Sequence, residues 1–186
     1  MYLVDTNIIS EQRKRARANP GVLAFFEDAA ANGREIFLSV ITLGELRRGV
    51  ELKRFRGDHR QCHVLDDWVL AVHRRHTRNI LGIDAQIVEL WGHLSVPDTQ
   101  NSLDKLIAAT ALVHGLTVVT RNVRDFANTG VRILNPFSDV PSVRRVLALC
   151  PRLFRGRSQA AQCLVNEAAG HETTLTVSTP YLPLPL

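Results

Sequence analysis

The order of apolar and polar positions along residues 1–137 alternates between two rhythms, one of short β-rich runs and one of helical spacing. Tyr2-Leu3-Val4 is a short apolar run that stops at Asp5-Thr6-Asn7 and reads as a buried strand. A basic stretch follows, with Arg13, Lys14, Arg15 and Arg17. Asn19-Pro20 then marks a helix start with proline at the first helical position, Val22, Leu23, Phe26 and Ala30 recur at helical spacing, and Gly33 ends the run. Ile36 to Val40 reads as a second strand, and Thr42 opens a helix carrying Leu43, Leu46 and Val50. Residues 61–76 form an amphipathic helix with Val64, Leu65, Trp68 and Val72 on one face.

Further along, Asn79 to Ile83 reads as a short strand, and Asp84 caps a helix carrying Ile87, Leu90, Trp91 and Leu94. Ser95 to Asn101 is polar, contains Pro97 and reads as a loop. A helical run from Ser102 to His114 is stopped by Gly115. Leu116 to Thr120 and Val131 to Leu134 complete the strands, the last closed by Asn135-Pro136-Phe137. Strands alternating with helices predict an α/β fold, a parallel sheet flanked by helices. The character changes after residue 138, where five of the eight prolines lie and no lysine occurs. We therefore divide the chain into a domain at 1–137 and an irregular extension at 138–186, expected to be disordered or loosely packed, with helical spacing only at 142–149.

Composition narrows the class without naming a function. The 186 residues are 45% hydrophobic and 22% charged, an ordinary globular balance. The net charge of +5 permits an acidic partner without demanding one, and arginine supplies most of it, the only lysines being Lys14, Lys53 and Lys105. No apolar run approaches a membrane span, and the start lacks a basic region before its short apolar run, so a cytoplasmic protein is expected, with no membrane partner. Three cysteines, at 62, 150 and 163, match no zinc spacing and read as reduced thiols.

The acids carry the candidate chemistry. Asp5 ends the first strand, Glu45 sits in the helix after the second, Asp104 lies in the first turn of the helix after Ser102, and Asp125, with Asn122 beside it, follows the Leu116–Thr120 strand. In an open parallel sheet the ligand crevice lies at the C-terminal ends of the strands, so all four positions can converge. Like charges about 4 Å apart repel by roughly 4 kcal/mol at an effective dielectric near 20, and a divalent cation with oxygen ligands reverses that cost. Such an ion suits phosphodiester hydrolysis. Each acid also has a purely structural reading. Asp5 could cap the next helix, and Thr42-Leu43-Gly44-Glu45 fits a capping box. Asp104 sits where an acid favours the helix dipole, and Asp125 could pair with Arg121 or Arg124. Thr6 and Thr120 are candidates to position water or phosphate by their hydroxyls. Arg13, Arg15, their basic neighbours, Arg47 and Arg48 are candidates to attract a phosphate-bearing partner.

At these residues the sequence resembles a known family. Leu3-Val4-Asp5-Thr6-Asn7-Ile8-Ile9-Ser10, Thr42-Leu43-Gly44-Glu45-Leu46-Arg47-Arg48-Gly49 and Asp104-Lys105-Leu106-Ile107-Ala108-Ala109-Thr110-Ala111 are similar to the three acidic motifs of VapC-type PIN-domain ribonuclease toxins. Thr117 to Phe126 and Asn135-Pro136-Phe137 resemble the closing block. The resemblance implies a Mg²⁺-dependent endoribonuclease, with Mn²⁺ as a substitute, acting on structured RNA of the tRNA or rRNA class. It implies a homodimer inhibited by a cognate antitoxin. It makes Asp5 and Asp104 the firmest metal ligands, with Glu45 completing the cluster directly or through water. The fourth position falls on Asn122 or Asp125, and Asn122 would ligate only weakly. Residues 138–186 have no counterpart in the usual short toxin. Two rivals stand beside this reading. A phosphatase forming an aspartyl-phosphate usually wants an acid two residues after the nucleophile, where this chain has Asn7. An inactive PIN scaffold would bind RNA or protein without cleaving. A nucleotide triphosphatase is excluded by the lack of a phosphate-cradling Gly-x-x-x-x-Gly-Lys segment.

Overall fold

The computed structural model describes residues 1–138; the extension expected at 138–186, with its helix at 142–149, lies outside the described residues apart from Ser138. The first strand, β1 (Tyr2–Val4), runs into α1 (Thr6–Gln12), and a single 3-10 turn at Arg15–Arg17 leads to α2 (Pro20–Ala31). Next come β2 (Ile36–Ser39), α3 (Val40–Phe55) and α4 (His59–His76), then a short turn into β3 (Ile80–Leu81). The chain continues through α5 (Ala85–Leu94), α6 (Ser102–Val113), β4 (Thr117–Val119), the one-turn α7 (Val123–Phe126) and β5 (Arg132–Leu134). Among the described residues these build one five-stranded sheet, order β3-β2-β1-β4-β5, every pairing parallel.

The α/β expectation therefore holds, and the register shows why. Leu3 lies beside Phe37 and Val118, while Val4 lies beside Val119. Successive strand residues face opposite sides of a sheet. Val4, Leu38 and Val119 pack with Ile8, Val22, Leu46, Val50 and Val69 of the helices on one side. Leu3 and Val118 pack with Ile107, Ala108, Ala111 and Phe126 on the other. A sheet buried on both faces needs apolar residues at successive strand positions, and Leu3-Val4 and Val118-Val119, all fully buried, supply this.

Two boundaries differ from the sequence expectation. The helix α1 was not separated from the basic stretch by periodicity; only seven residues long, it forms because the Asp5 carboxylate caps it. The helix α3 begins at Val40, two residues before Thr42, and its cap is Ser39, whose hydroxyl accepts from the Ile41 amide at 3.1 Å. Ser39 ends a strand and is fully buried, so its oxygen is fixed where the first helical amides point. The Thr42–Glu45 capping box therefore does not form, and the buried Thr42 hydroxyl has no hydrogen-bond partner among the described residues. Arg47, offered from sequence as an RNA contact, instead bonds Asp66 of α4, which Arg54 also reaches at 2.9 Å.

Gly21, in the first turn of α2, is required by close approach. A methyl group there would lie 1.9 Å from the Pro136 carbonyl oxygen, a backbone atom that cannot move alone. Gly21→Ala is expected to lower unfolding stability by roughly 1–3 kcal/mol through overpacking, read as a reduced urea midpoint at unchanged slope. An unchanged midpoint would show that Asn135–Phe137 gives way freely.

Candidate active site

The sheet order reverses direction at β1: β2 and β3 lie on one side, β4 and β5 on the other. A crevice opens at the C-terminal edge of such a switch point, because the crossovers leave it in opposite directions. Asp5 follows β1 there, and Thr120 follows β4.

Asp5 is 4% exposed and held on three sides. One carboxylate oxygen accepts from the Thr6 amide at 2.6 Å. The other accepts from the Asn7 side-chain amide at 2.5 Å and the Thr120 hydroxyl at 2.7 Å. These bonds favour the charged form, yet burial outweighs them and pushes the Asp5 carboxyl above its ordinary range, with the Glu45 charge adding to the rise. Asp5 thus caps α1 and stays at the crevice; the structural and functional readings coexist in one side chain.

Asn7 was considered from sequence only as a missing second acid, and the structure gives it a larger part. Its amide nitrogen bonds Asp5 and, at 3.1 Å, the Thr120 hydroxyl oxygen, while its carbonyl oxygen accepts from the Arg121 amide at 3.1 Å. It ties the ends of β1 and β4 together. The sequence signal available was Asp-Thr-Asn after an apolar run, a local turn-forming triplet.

The hydroxyls of Thr6 and Thr120, candidates to meet water or phosphate, both bond protein side chains in this structure. Thr120 is fully buried, donates to Asp5, and accepts from Asn7 and from the Asn122 amide at 2.9 Å. Its hydroxyl is saturated, and its position is that of a clamp on Asp5. The Thr6 hydroxyl donates to Glu45, so it orients that carboxylate across from α1 to α3. Thr120→Val keeps the shape and removes the bond. It is expected to cost roughly 1–2 kcal/mol of stability and to raise the Asp5 carboxyl further, since the lost bond favoured the anion. Carboxyl NMR titration checks the second effect; an unmoved Asp5 would mean the bond is not made.

Asp104 lies in the first turn of α6 and is half-buried. Its carboxyl is pushed up to about 6, first by burial and then by the charges of Asp5, Asp125 and Glu45. The charges of Asp5, Glu45 and Asp125, far apart in the chain, therefore all reach Asp104. The cation next in sequence does not relieve them: buried Lys105 bonds the Asp98 carbonyl and stands 3.5 Å from the Asp98 carboxylate. Asp125 accepts from the Asn101 side chain at 3.1 Å, which replaces the expected pairing with Arg121 or Arg124. No ion pair to Asp5, Glu45, Asp104 or Asp125 is found among the described residues. No three of these acids converge on a single point in this conformation, Glu45 being turned to Thr6 and Asp125 to Asn101. The donor set, hard carboxylate oxygens that repel one another and lack a protein cation, fits a divalent ion of the Mg²⁺ or Mn²⁺ kind.

Residues 2–131 match the family model for the PIN domain. The chain belongs to the PIN domain family. Toxin FitB of Neisseria gonorrhoeae is 32% identical over 145 residues, covering 75% of this chain and all of that protein. VapC ribonuclease Y4jK of Sinorhizobium fredii is 31% identical over 144 residues, covering 74% of this chain and 98% of its own length. The crystal structure of FitAcB from Neisseria gonorrhoeae matches with a TM-score of 0.64 and 31% identity, covering 74% of this chain and 99% of that one. The VapC-type resemblance read from the motifs is thereby shown. Among the described residues no helix is long and apolar enough to cross a membrane.

Of the basic loop expected to face RNA, Arg13 lies over the Trp68 ring at 5.5 Å and Lys14 pairs with buried Glu11 at 2.7 Å. Arg15 and Arg17 are exposed. The loop is partly committed to the protein itself.

Proposed function

We propose that this chain is a divalent-metal-dependent endoribonuclease toxin that cleaves structured RNA of the tRNA or rRNA class and is held inactive by a cognate antitoxin. The observation that carries this reading is the set of acids at and around the switch point, Asp5 buried at the end of β1 and Asp104 half-buried in the first turn of α6, with no ion pair to Asp5, Glu45, Asp104 or Asp125 among the described residues. The names of the relatives, a toxin and a ribonuclease, support it. We further propose Mg²⁺ as the resident ion with Mn²⁺ able to replace it, a homodimer in the cytoplasm, and residues 1–137 as the nuclease domain with 138–186 as an extension to it.

Asp5 and Asp104 would hold the ion, and Glu45 would complete the set directly or through water. For the fourth position we favour Asp125 over Asn122, because the Asp125 charge reaches Asp104. A bound divalent ion supplies charge neutralisation at the phosphate and activation of a water for attack. The protein's own contribution is preorganisation. Asn7, Thr120 and the Thr6 amide hold Asp5 in one rotamer, and the Thr6 hydroxyl holds Glu45. Arg15 and Arg17 are free on the surface to attract phosphates, and their part should weaken steeply with salt.

The test is cleavage of a tRNA and rRNA pool with Mg²⁺ or Mn²⁺, wild type beside Asp5→Asn. Cleavage by the wild type alone is the expected result. Equal cleavage by both proteins overturns the site, and RNA binding without cleavage by the wild type turns the reading to an inactive scaffold.

A further inference from the structure

Past β4 and β5 lies a cleft that includes Asn122 and Asp125 of the candidate site together with Arg121, Arg124 and Asn135, to which the sequence reading gave no role in the site. It is open to solvent, has a volume of about 450 Å³ and is lined by Arg121, Asn122, Val123, Arg124, Asp125 and Asn135. We propose that this cleft is a nucleotide subsite: it takes the RNA nucleotide next to the scissile phosphate, with that nucleotide's outer phosphate between Arg121 and Arg124. The proposal rests on the ribonuclease reading.

The cleft's volume lies within the range of about 300–1,000 Å³ typical of small-ligand sites. Its single carboxylate, Asp125, is also the acid felt at Asp104, so the cleft and the acidic cluster share a wall. No ion pair to Arg121 or Arg124 is found among the described residues, although the Arg121 charge reaches the Glu11 carboxylate. Asp125, which would be the natural partner, is taken by Asn101.

The Arg121 guanidinium lies over the Phe137 ring at 5.4 Å, and its backbone amide is fixed by Asn7 at 3.1 Å. A guanidinium held over a ring is not consumed by a carboxylate, and its planar fork matches two phosphate oxygens. The Asn135 carbonyl oxygen accepts from the Phe137 amide at 3.0 Å, which leaves its NH₂ group to donate. Cationic donors thus meet amide donors beside an acidic wall, the arrangement suited to a phosphate joined to a polar sugar and base.

The experiment uses the full chain carrying Asp104→Asn, which does not cleave, and three probes: uridine 3′,5′-bisphosphate, inorganic phosphate and uridine. NMR shifts of the Arg121, Arg124, Asn122 and Asn135 side chains report binding. The bisphosphate is expected to shift all four, and Arg124→Ala, at an exposed position, to weaken it about tenfold or more. Arg124→Gln, which keeps the stem, should do the same. With RNA, each variant should lower the salt slope by about 0.7–0.9, one phosphate contact. Inorganic phosphate binding as well as the bisphosphate would overturn the assignment, leaving an adventitious anion site. So would uridine shifts of equal size, or unchanged affinity in both Arg124 variants. Failure of the wild type to cleave any RNA sinks the ribonuclease reading; cleavage with an unchanged KM in Arg124→Ala sinks the subsite alone.

Discussion

Asp104→Asn is expected to abolish RNA cleavage and, in the metal-free protein at pH 7.5, to make the fold more stable. The two effects have one cause. Burial and three neighbouring charges hold the Asp104 carboxyl at about 6, above its ordinary 3.8. Between those values the native state keeps a proton that the unfolded chain has released, so stability falls as pH rises through this window. Above about pH 6 the cost of the ionised group is complete; below 3.8 it is gone. Discounting for the water that reaches this half-buried side chain, we expect a gain of about 1 kcal/mol for the amide at pH 7.5. At pH 3.5 the two proteins should match. Urea midpoints at both pH values, beside cleavage of the RNA pool, make the check. An asparagine variant less stable than wild type at pH 7.5 would mean that Asp104 makes a favourable contact absent from this structure.

Divalent ions are expected to reverse that cost. Saturating Mn²⁺ or Mg²⁺ should raise the melting temperature of the wild type, the gain reaching about 2.7 kcal/mol at a hundredfold excess over the dissociation constant. Chelation should remove cleavage altogether. Asp5→Asn should flatten the thermal response, because Asp5 is the acid most firmly fixed at the crevice. Binding must displace the proton from Asp104, so at pH 6 about half a proton should leave per ion, and affinity should fall as pH drops from 7.5 to 5.5. Calorimetry in two buffers of different ionisation enthalpy measures this release. A wild-type melting temperature unmoved by either ion would sink the metal-dependent reading, whatever the RNA assay showed.

The legibility of the site varied residue by residue. Asp5 and Asp104 were plain, because one ends an apolar strand and the other opens a helix after a polar loop. Glu45 was placed in the right helix but by the wrong turn chemistry. The Ser39 cap moved the helix start to Val40, which set Glu45 one turn deeper, against Thr6 rather than against Thr42. Thr120 was read as a hydroxyl available to water or phosphate, and the fold bonds it to Asp5, Asn7 and the Asn122 amide. A hydroxyl at a strand end looks available in sequence, and its saturation by Asp5, Asn7 and the Asn122 amide arises from chain 113 and 115 residues away as well as from its neighbour. Arg13, Lys14 and Arg47 looked like free charge because sequence shows a cation and not the Trp68, Glu11 or Asp66 that occupies it.

Period and local chemistry determined most of the fold by themselves. Short β-rich runs at 2–4 and 117–119 demand burial on both faces, and helical stripes between them demand crossovers, so a parallel sheet follows. Those patterns are local, since each depends on side chains within a few turns of one another. Which strand neighbours which is not local. The order β3-β2-β1-β4-β5 decided that Asp5 and Thr120 share an edge, that Asn7 bridges them, and that Arg121 and Arg124 open beside Asp125. Charges interact through the distance and dielectric between them, and the folded chain alone sets both.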